Sequence, residues 1–479
     1  MDSQRDVLGL EDDMSLKCLV PLGIAVTLAL AGCAPPGVES VQSAFRPLRQ
    51  NVSPYRLPLH LSDAPPVTAP AEAPNDMLTL RQALALALLQ NPELSAFTWE
   101  VRAAEARTLQ VGLRPNPELG LEVENIAGTG AFQGGRSAET TLRLSQVIEL
   151  GGKRARRLHV AALERDLAVW DYETKRVEVL TEVAQAFVEV LRAQERLAAE
   201  QDLVRLAEQV LATVAERVNA GKASPVEETK AGVALSTSRV ALERARRELV
   251  ATRQRLAATW GSSTPTFQHV EGAFETVAAP PSAEALAERI LDNPDLARWG
   301  TELQQRQAAV DLAEAQKVPD LTASGGVRYL NEADTAALVF SFAVPLPVVH
   351  RNQGAILEAQ HRLAKATEER RAAVVRVRAA LATVYAALTA AFVEATTLRE
   401  EIIPGARRVF EATSEGYRQG KFSLLEVLDA QRTLFEARAQ YIEALAHYHK
   451  AVAEAERAIG GALLPGTGLA GPHSPGGQR

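Results

Sequence analysis

Cysteine is nearly absent from this 479-residue chain: only Cys18 and Cys33 are present, too few for a disulfide framework or a cysteine metal site. Aromatic residues make up 5%, little material for the core of a β-sandwich or for base-stacking platforms. The formal net charge is −7, and no basic stripe carries interleaved aromatics, which argues against nucleic acid as a partner. Beyond the first 32 residues no uninterrupted apolar run reaches 18, so no membrane-crossing helix is expected. The signatures of catalysis are missing as well. There is no HExxH and no GxSxG, and spacing singles out no carboxylate pair. Gly151-Gly152-Lys153-Arg154 lacks both the Ser or Thr and the upstream Gly of a phosphate loop. His447 and His449, two apart on a helix, face different sides and do not make a shared metal site. The expectation is a protein without enzyme activity, cofactor or resident metal.

What is present is Ala, Leu, Glu, Arg and Val, the composition of long helices packed through small side chains. Near the N-terminus, Lys17 precedes an apolar run from Cys18 to Gly32, too short to span a bilayer and ending in small residues as an export signal does. Its last residues, Leu30-Ala31-Gly32-Cys33, resemble the lipobox of bacterial lipoproteins. That resemblance implies removal of residues 1–32 and acylation of Cys33. Asp2 to Asp13 is acidic where an export signal is basic, which points to Met14 as the true start. Residues 33–76, rich in proline, read as an extended tether.

The remainder is written twice. Asn91-Pro-Glu-Leu returns at Asn116, and Asn293-Pro-Asp-Leu is followed by Val318-Pro-Asp-Leu; the spacing within each pair is 25 residues. Equal spacings point to an internal duplication, with repeats over 77–275 and 276–461 and a Gly/Pro-rich tail over 462–479. In each repeat Asn-Pro opens a helix, Asn as cap and Pro in the first turn. The period then falls to two. Leu119, Leu121 and Val123 alternate with charged or small residues, as do Thr140, Leu142, Leu144 and Ile148 across a Gly-rich loop. The second copy has Leu321, Ala323, Val327 and Tyr329, then Ala336, Leu338, Phe340, Phe342 and Val344. These predict hairpins near 118–148 and 320–345, with arms long enough to cross a membrane when tilted.

After each hairpin a helical pattern runs far. Leu163, Leu167, Trp170, Val177, Leu180, Ala184, Phe187 and Leu191 keep the steps of a coiled-coil seam. At ~1.5 Å per residue, the stretch from Arg154 to Asn219 would be roughly 100 Å long. Its counterpart runs from about Asn352 to Gln419, with a kink expected at Pro404. The tips match: Gly221-Lys222-Ala223-Ser224 and Gly420-Lys421-Phe422-Ser423, glycine ending one helix and serine capping the next. Four strands cannot close a barrel, and open edges are not tolerated in lipid. Several copies must therefore pool their hairpins, with the long helices continuing the pore as a second cylinder. The fold class is mainly α with a membrane β-barrel.

The duplicated plan, Ile148-Glu-Leu-Gly-Gly-Lys-Arg154 and Pro345-Leu-Pro-Val-Val-His-Arg-Asn-Gln-Gly354 resemble TolC-type outer-membrane efflux proteins, and most of all the branch serving cobalt–zinc–cadmium exporters. The resemblance covers about residues 77 to 461. It implies a homotrimer with a twelve-stranded barrel in outer-membrane lipid. It also implies a periplasmic adaptor (membrane fusion protein) and a proton-driven inner-membrane pump of the resistance-nodulation-division type as partners. It places adaptor docking at Gly221, Lys222, Ser224, Gly420, Lys421 and Ser423. Tyr417 matches a gate-locking tyrosine, and Glu426 and Asp429 match acidic rings at the periplasmic mouth. Phe422 stands where the best-known member has a gate arginine, a departure from the residue that makes that member's inter-helix polar lock. An ordinary solvated helix face is the competing account of Glu426 and Asp429. The same pore could serve a multidrug or type I secretion system, and a coiled-coil scaffold without a channel is a further alternative that leaves the four amphipathic strands without a use.

Overall fold

The computed structural model describes residues 76–290, 293–461 and 463. Residues 1–75 lie outside them, so Cys33, the expected export signal and nearly all of the expected tether are not described. The rest of the chain runs β1 (Met77–Thr79), α1 (Leu80–Gln90), α2 (Pro92–Val111), β2 (Glu118–Glu124), β3 (Glu139–Ile148), α3 (Lys153–Asn219) and α4 (Pro225–Ala258). The second half follows with β4 (His269–Glu271), α5 (Ala283–Arg289), α6 (Pro294–Ala315), β5 (Leu321–Leu330) and β6 (Thr335–Ala343). It ends with α7 (Gln353–Thr397), α8 (Ile403–Arg418) and α9 (Leu424–Ile459).

The duplicated asparagines do the same work in both halves. Asn91 caps α2, its Oδ1 accepting from Leu94 N at 2.9 Å, while its Nδ2 donates to Thr259 O at 2.7 Å. Asn293 caps α6 through Asp295 N at 2.7 Å, and its Nδ2 donates to Ala458 O at 2.9 Å. One side chain thus satisfies donors at the start of a short helix and acceptors at the end of the returning helix α4 or α9. Both asparagines are buried, which makes the paired arrangement costly to lose.

Four strands form one antiparallel sheet in the order β2-β3-β5-β6, and β1 pairs in parallel with β4 in a separate two-stranded sheet. In the larger sheet Leu121 lies opposite Leu142, Leu142 opposite Val327 and Val327 opposite Leu338, so one face is apolar across all four strands. On that face Leu119, Leu121, Leu338, Phe340 and Phe342 are 69% to 74% exposed. The other face carries Glu122, Arg143, Thr141 and Arg328, with Arg328 bonded to Glu139 Oε2 at 2.8 Å and Thr141 Oγ1 at 3.1 Å. Among the described residues, strands β2 and β6 each have one unpaired edge. At Gly326 the strands β5 and β3 come so close that a Cβ would stand 2.3 Å from Leu142 O.

Strands pass into helices through the two motifs noted above. Gly151 takes φ +71°, and a Cβ there would meet Val318 at 2.9 Å. Asp320 accepts from Leu150 N at 3.0 Å and from Lys153 Nζ at 2.8 Å. The glycine pair and the lysine are therefore structural: they seat the first junction against the Val318–Asp320 repeat of the second half. At the other junction Asn352, at φ 58°, donates from Nδ2 to Ala313 O at 2.8 Å.

The helices stand as a wall. Beneath the sheet, α2, α3, α6 and α7 pack in that sequence, and further down α4 lies on α3, α3 on α9, and α9 on α7 and α8. Phe187, Leu256, Phe267 and Leu445 are fully buried where the tiers meet. Arg192 joins α3 to α9 through Glu443 at 2.8 Å and to α4 through Glu248. The outer face of α4 leaves Val226, Val233 and Val240 exposed at heptad spacing, and α8 leaves Val409 exposed.

The structure refines one sequence expectation. The second long helix is interrupted just before Pro404: Leu398–Ile402 form a π turn between α7 and α8, with Ile403 N donating to Leu398 O beside the residue that has no N–H to donate. The helical stretch Gln353–Arg418 also contains a segment apolar enough, by length and composition, to cross a membrane. Thr383, Tyr385 and Thr389 interrupt a count of consecutive apolar residues there without making the segment polar. It packs against α6 and α9 as part of the wall.

Candidate functional site

The two helical hairpin tips have the same backbone. In the first, Gly221 at φ +70° donates to Val218 O at 2.9 Å and Lys222 N donates to Arg217 O at 2.8 Å. In the second, Gly420 at φ +78° donates to Tyr417 O at 2.9 Å and Lys421 N donates to Gly416 O at 2.8 Å. Both satisfy the last carbonyls of a long helix by the doubly bonded glycine ending that needs a left-handed residue. Ser224 then caps α4 through Val226 N at 3.2 Å, and Ser423 caps α9 through Glu426 N at 3.4 Å. Lys222 and Lys421 are exposed beside them.

Tyr417 is buried, 4% exposed, in a small cluster with Val214, Ala231, Leu424 and Val427. Its hydroxyl donates to Glu227 Oε2 at 2.9 Å, linking α8 to the start of α4. The Arg217 guanidinium lies 4.5 Å from the Tyr417 ring centroid and donates to the carbonyls of Tyr417 and Arg418. One cation thus caps the end of α8 from the neighbouring hairpin and covers the tyrosine ring. Burial, reinforced by the Glu227 carboxylate, pushes the Tyr417 hydroxyl up to about 12, so it remains a donor. Arg217 and Glu227 escape a sequence reading, because a charged residue on a long charged helix carries no local mark of its distant partner.

Glu426 and Asp429 do not join this latch. Glu426 accepts from Ser423 N at 2.6 Å and Ser423 Oγ at 2.8 Å, completing a capping box. Those two donors hold its carboxyl below the ordinary 4.5. Asp429 pairs with Arg432 at 2.5 Å. The two carboxylates nonetheless share a face, lining an open groove of about 410 Å³ with Ile402, Ala406, Val409 and Thr413. Phe422 lies on Gly416, where a Cβ would meet its ring at 2.1 Å, so an aromatic contact shapes the second tip. His449 is buried with Nε2 2.8 Å from Phe274 O, and His447 is exposed. Among the described residues no three His, Cys, Asp or Glu side chains gather as metal ligands.

The comparisons with known proteins agree with this geometry. The family described as Outer membrane efflux protein matches residues 83–262 and 285–461. The cobalt-zinc-cadmium resistance protein CzcC of Cupriavidus metallidurans is 35% identical over 383 residues, 80% of this chain and 90% of that protein. The nickel and cobalt resistance protein CnrC of the same organism is 28% identical, covering 69% of this chain and 76% of that protein. Among solved structures, CusC, from a study of its folding and transmembrane channel formation, has a TM-score of 0.66 at 18% identity, covering 80% of this chain and 92% of that one. The outer membrane protein VceC of Vibrio cholerae has a TM-score of 0.65 at 17% identity, covering 80% and 97%. With its sheet, its wall of long helices and both of its repeats matched, the chain belongs to the outer membrane efflux protein family.

Proposed function

We propose that three copies of this chain close head to tail into a conduit for metal cations, met at its periplasmic tips by an adaptor and fed by an inner-membrane pump. The observation that carries this reading is the open sheet. One face is apolar throughout, and β2 and β6 each leave a row of unpaired backbone groups, which lipid does not tolerate. Joining β6 of one copy to β2 of the next satisfies both edges. The interface is heterologous, so copies continue until the ring closes. The exposed valines of α4 and Val409 of α8 give the helical tiers matching apolar edges to bury. Twelve strands result from three copies, a size known to form a stable barrel.

Metal cations are favoured as cargo by the resistance proteins among the relatives and by the strand face opposite the lipid. There Glu118, Glu122, Glu124 and Glu139 outnumber Arg143 and Arg328, so the interior field attracts cations. Deleting the gene should sensitise the host to zinc, cobalt and cadmium and raise its cell-associated metal, measured by mass spectrometry. Gly420→Trp, which disturbs only a tip, should fail to restore resistance although the trimer still assembles. Unchanged metal tolerance with lowered tolerance to organic compounds would instead make this a multidrug channel.

Cys33 completes the reading as a lipid anchor in the outer membrane, supported by Leu30-Ala31-Gly32 before it. Intact-mass measurement of the purified protein should show residues 1–32 gone and acyl chains on the new N-terminus. An unprocessed leader would disprove the anchor.

A further inference from the structure

The two strand-to-helix junctions are not equivalent. In the first repeat four residues, Glu149-Leu150-Gly151-Gly152, join β3 to α3; in the second, nine residues from Val344 to Asn352 join β6 to α7. The longer junction is apolar and exposed: Leu346 80%, Val348 69% and Val349 83%. It also continues the pattern of the strand it leaves. Leu338, Phe340 and Phe342 mark the apolar face of β6, and Val344 and Leu346 extend the same two-residue step beyond its end. Val348 N then donates to Leu346 O at 2.8 Å, turning the chain tightly about Pro347. His350 and Arg351 follow, both exposed, and the Arg351 Nε donates to Pro347 O at 3.3 Å.

We infer that residues 344–351 form a lipid-binding finger at the periplasmic rim of the barrel, Leu346, Val348 and Val349 entering the bilayer while His350 and Arg351 meet phospholipid phosphates. This rests on the barrel reading above, because only that reading makes the apolar face of β6 the one that touches lipid. Continuity with that face selects the occupant. A second copy is the competing occupant, but the chain turns at Pro347, and Pro345 and Pro347 have no N–H to donate, so the finger offers a neighbouring strand no continuous ladder. Apolar side chains at the barrel's end backed by cations match a membrane interface, where apolar groups enter the acyl boundary and basic ones stay with the headgroups.

The test places a nitroxide on single introduced cysteines in the full-length protein, reconstituted in vesicles of phosphatidylethanolamine and phosphatidylglycerol. The parent chain sets the background labelling. Power saturation then compares access by oxygen, which partitions into lipid, with access by a water-soluble nickel chelate. At Val348→Cys, oxygen access should exceed nickel access severalfold. Nickel access exceeding oxygen access would place the finger in water and overturn the proposal. Low access by both would show it covered by protein, a second copy being the obvious cover, and would also overturn it. Phe340→Cys, on the strand itself, separates the two readings: oxygen-rich at 340 with either adverse result at 348 sinks the finger alone. A water-exposed label at 340 would sink the barrel reading and this proposal with it.

Discussion

Gly326→Val should leave a chain that is exported but cannot assemble its membrane barrel. A Cβ at this position would stand 2.3 Å from Leu142 O and 2.9 Å from Arg143 Cα, both backbone atoms that cannot swing aside. Overpacking in a well-packed interior costs about 1–3 kcal/mol, and a closed ring would meet the clash once in every copy. Since about 1.4 kcal/mol is tenfold in an equilibrium, the heat-dissociable oligomer on a denaturing gel should fall by at least about that factor. Gly325→Ala is the control. Its Cβ would meet only the Phe340 ring at 3.5 Å, an ordinary contact, so the oligomer should survive. Equal loss in both would show that glycine at this point matters for something other than the approach of β5 to β3.

The second large effect lies at the tips. We propose that the joint between the two hairpins holds the periplasmic end of the pore closed, so that removing the Tyr417 hydroxyl and the Arg217 guanidinium together should loosen it and raise single-channel conductance in planar bilayers. Hydrogen bonds involving a charged group are worth about 1.5–3 kcal/mol each, so the Arg217→Ala, Tyr417→Phe pair should shift the closed-to-open balance at least about tenfold. The pH dependence has a definite sign. The Tyr417 hydroxyl is raised from 10.0 to about 12, so its contribution is complete below pH 10 and is lost as pH rises through about 12. Conductance in the wild type should therefore not respond to tyrosine ionisation at neutral pH. Glu426→Gln with Asp429→Asn should act differently, lowering cation selectivity and block by divalent ions while preserving the capping box, which glutamine also completes. Unchanged selectivity would assign these carboxylates to helix capping and surface ion pairing alone.

The elements were readable because their signals are local. Alternation at 119–123 and 336–344, glycine at 221 and 420, and serine at 224 and 423 each reflect a rule acting within a few residues. The duplication could also be read, but not its reason: Asn91 and Asn293 look like helix caps in the sequence, and only the fold shows each holding the end of a helix 165 to 168 residues away. Gly326 looks like one of two adjacent strand glycines. That it and not Gly325 meets backbone depends on which face of the sheet each one presents. The Arg217–Tyr417–Glu227 latch joins positions about 190 to 200 apart, beyond any periodicity. The π turn before Pro404 was legible only as a site of trouble, because a missing donor can be absorbed by a kink or by widening one turn.

If three copies close head to tail, this chain is one third of a closed wall. Single-particle imaging of the full-length protein in lipid nanodiscs tests it most directly. The expected image is a threefold particle with one twelve-stranded barrel inside the lipid disc, β6 of each copy paired to β2 of the next, and a helical cylinder continuing the same axis. A single copy with its sheet edges exposed, or a symmetric dimer burying the apolar sheet faces against each other, would contradict it.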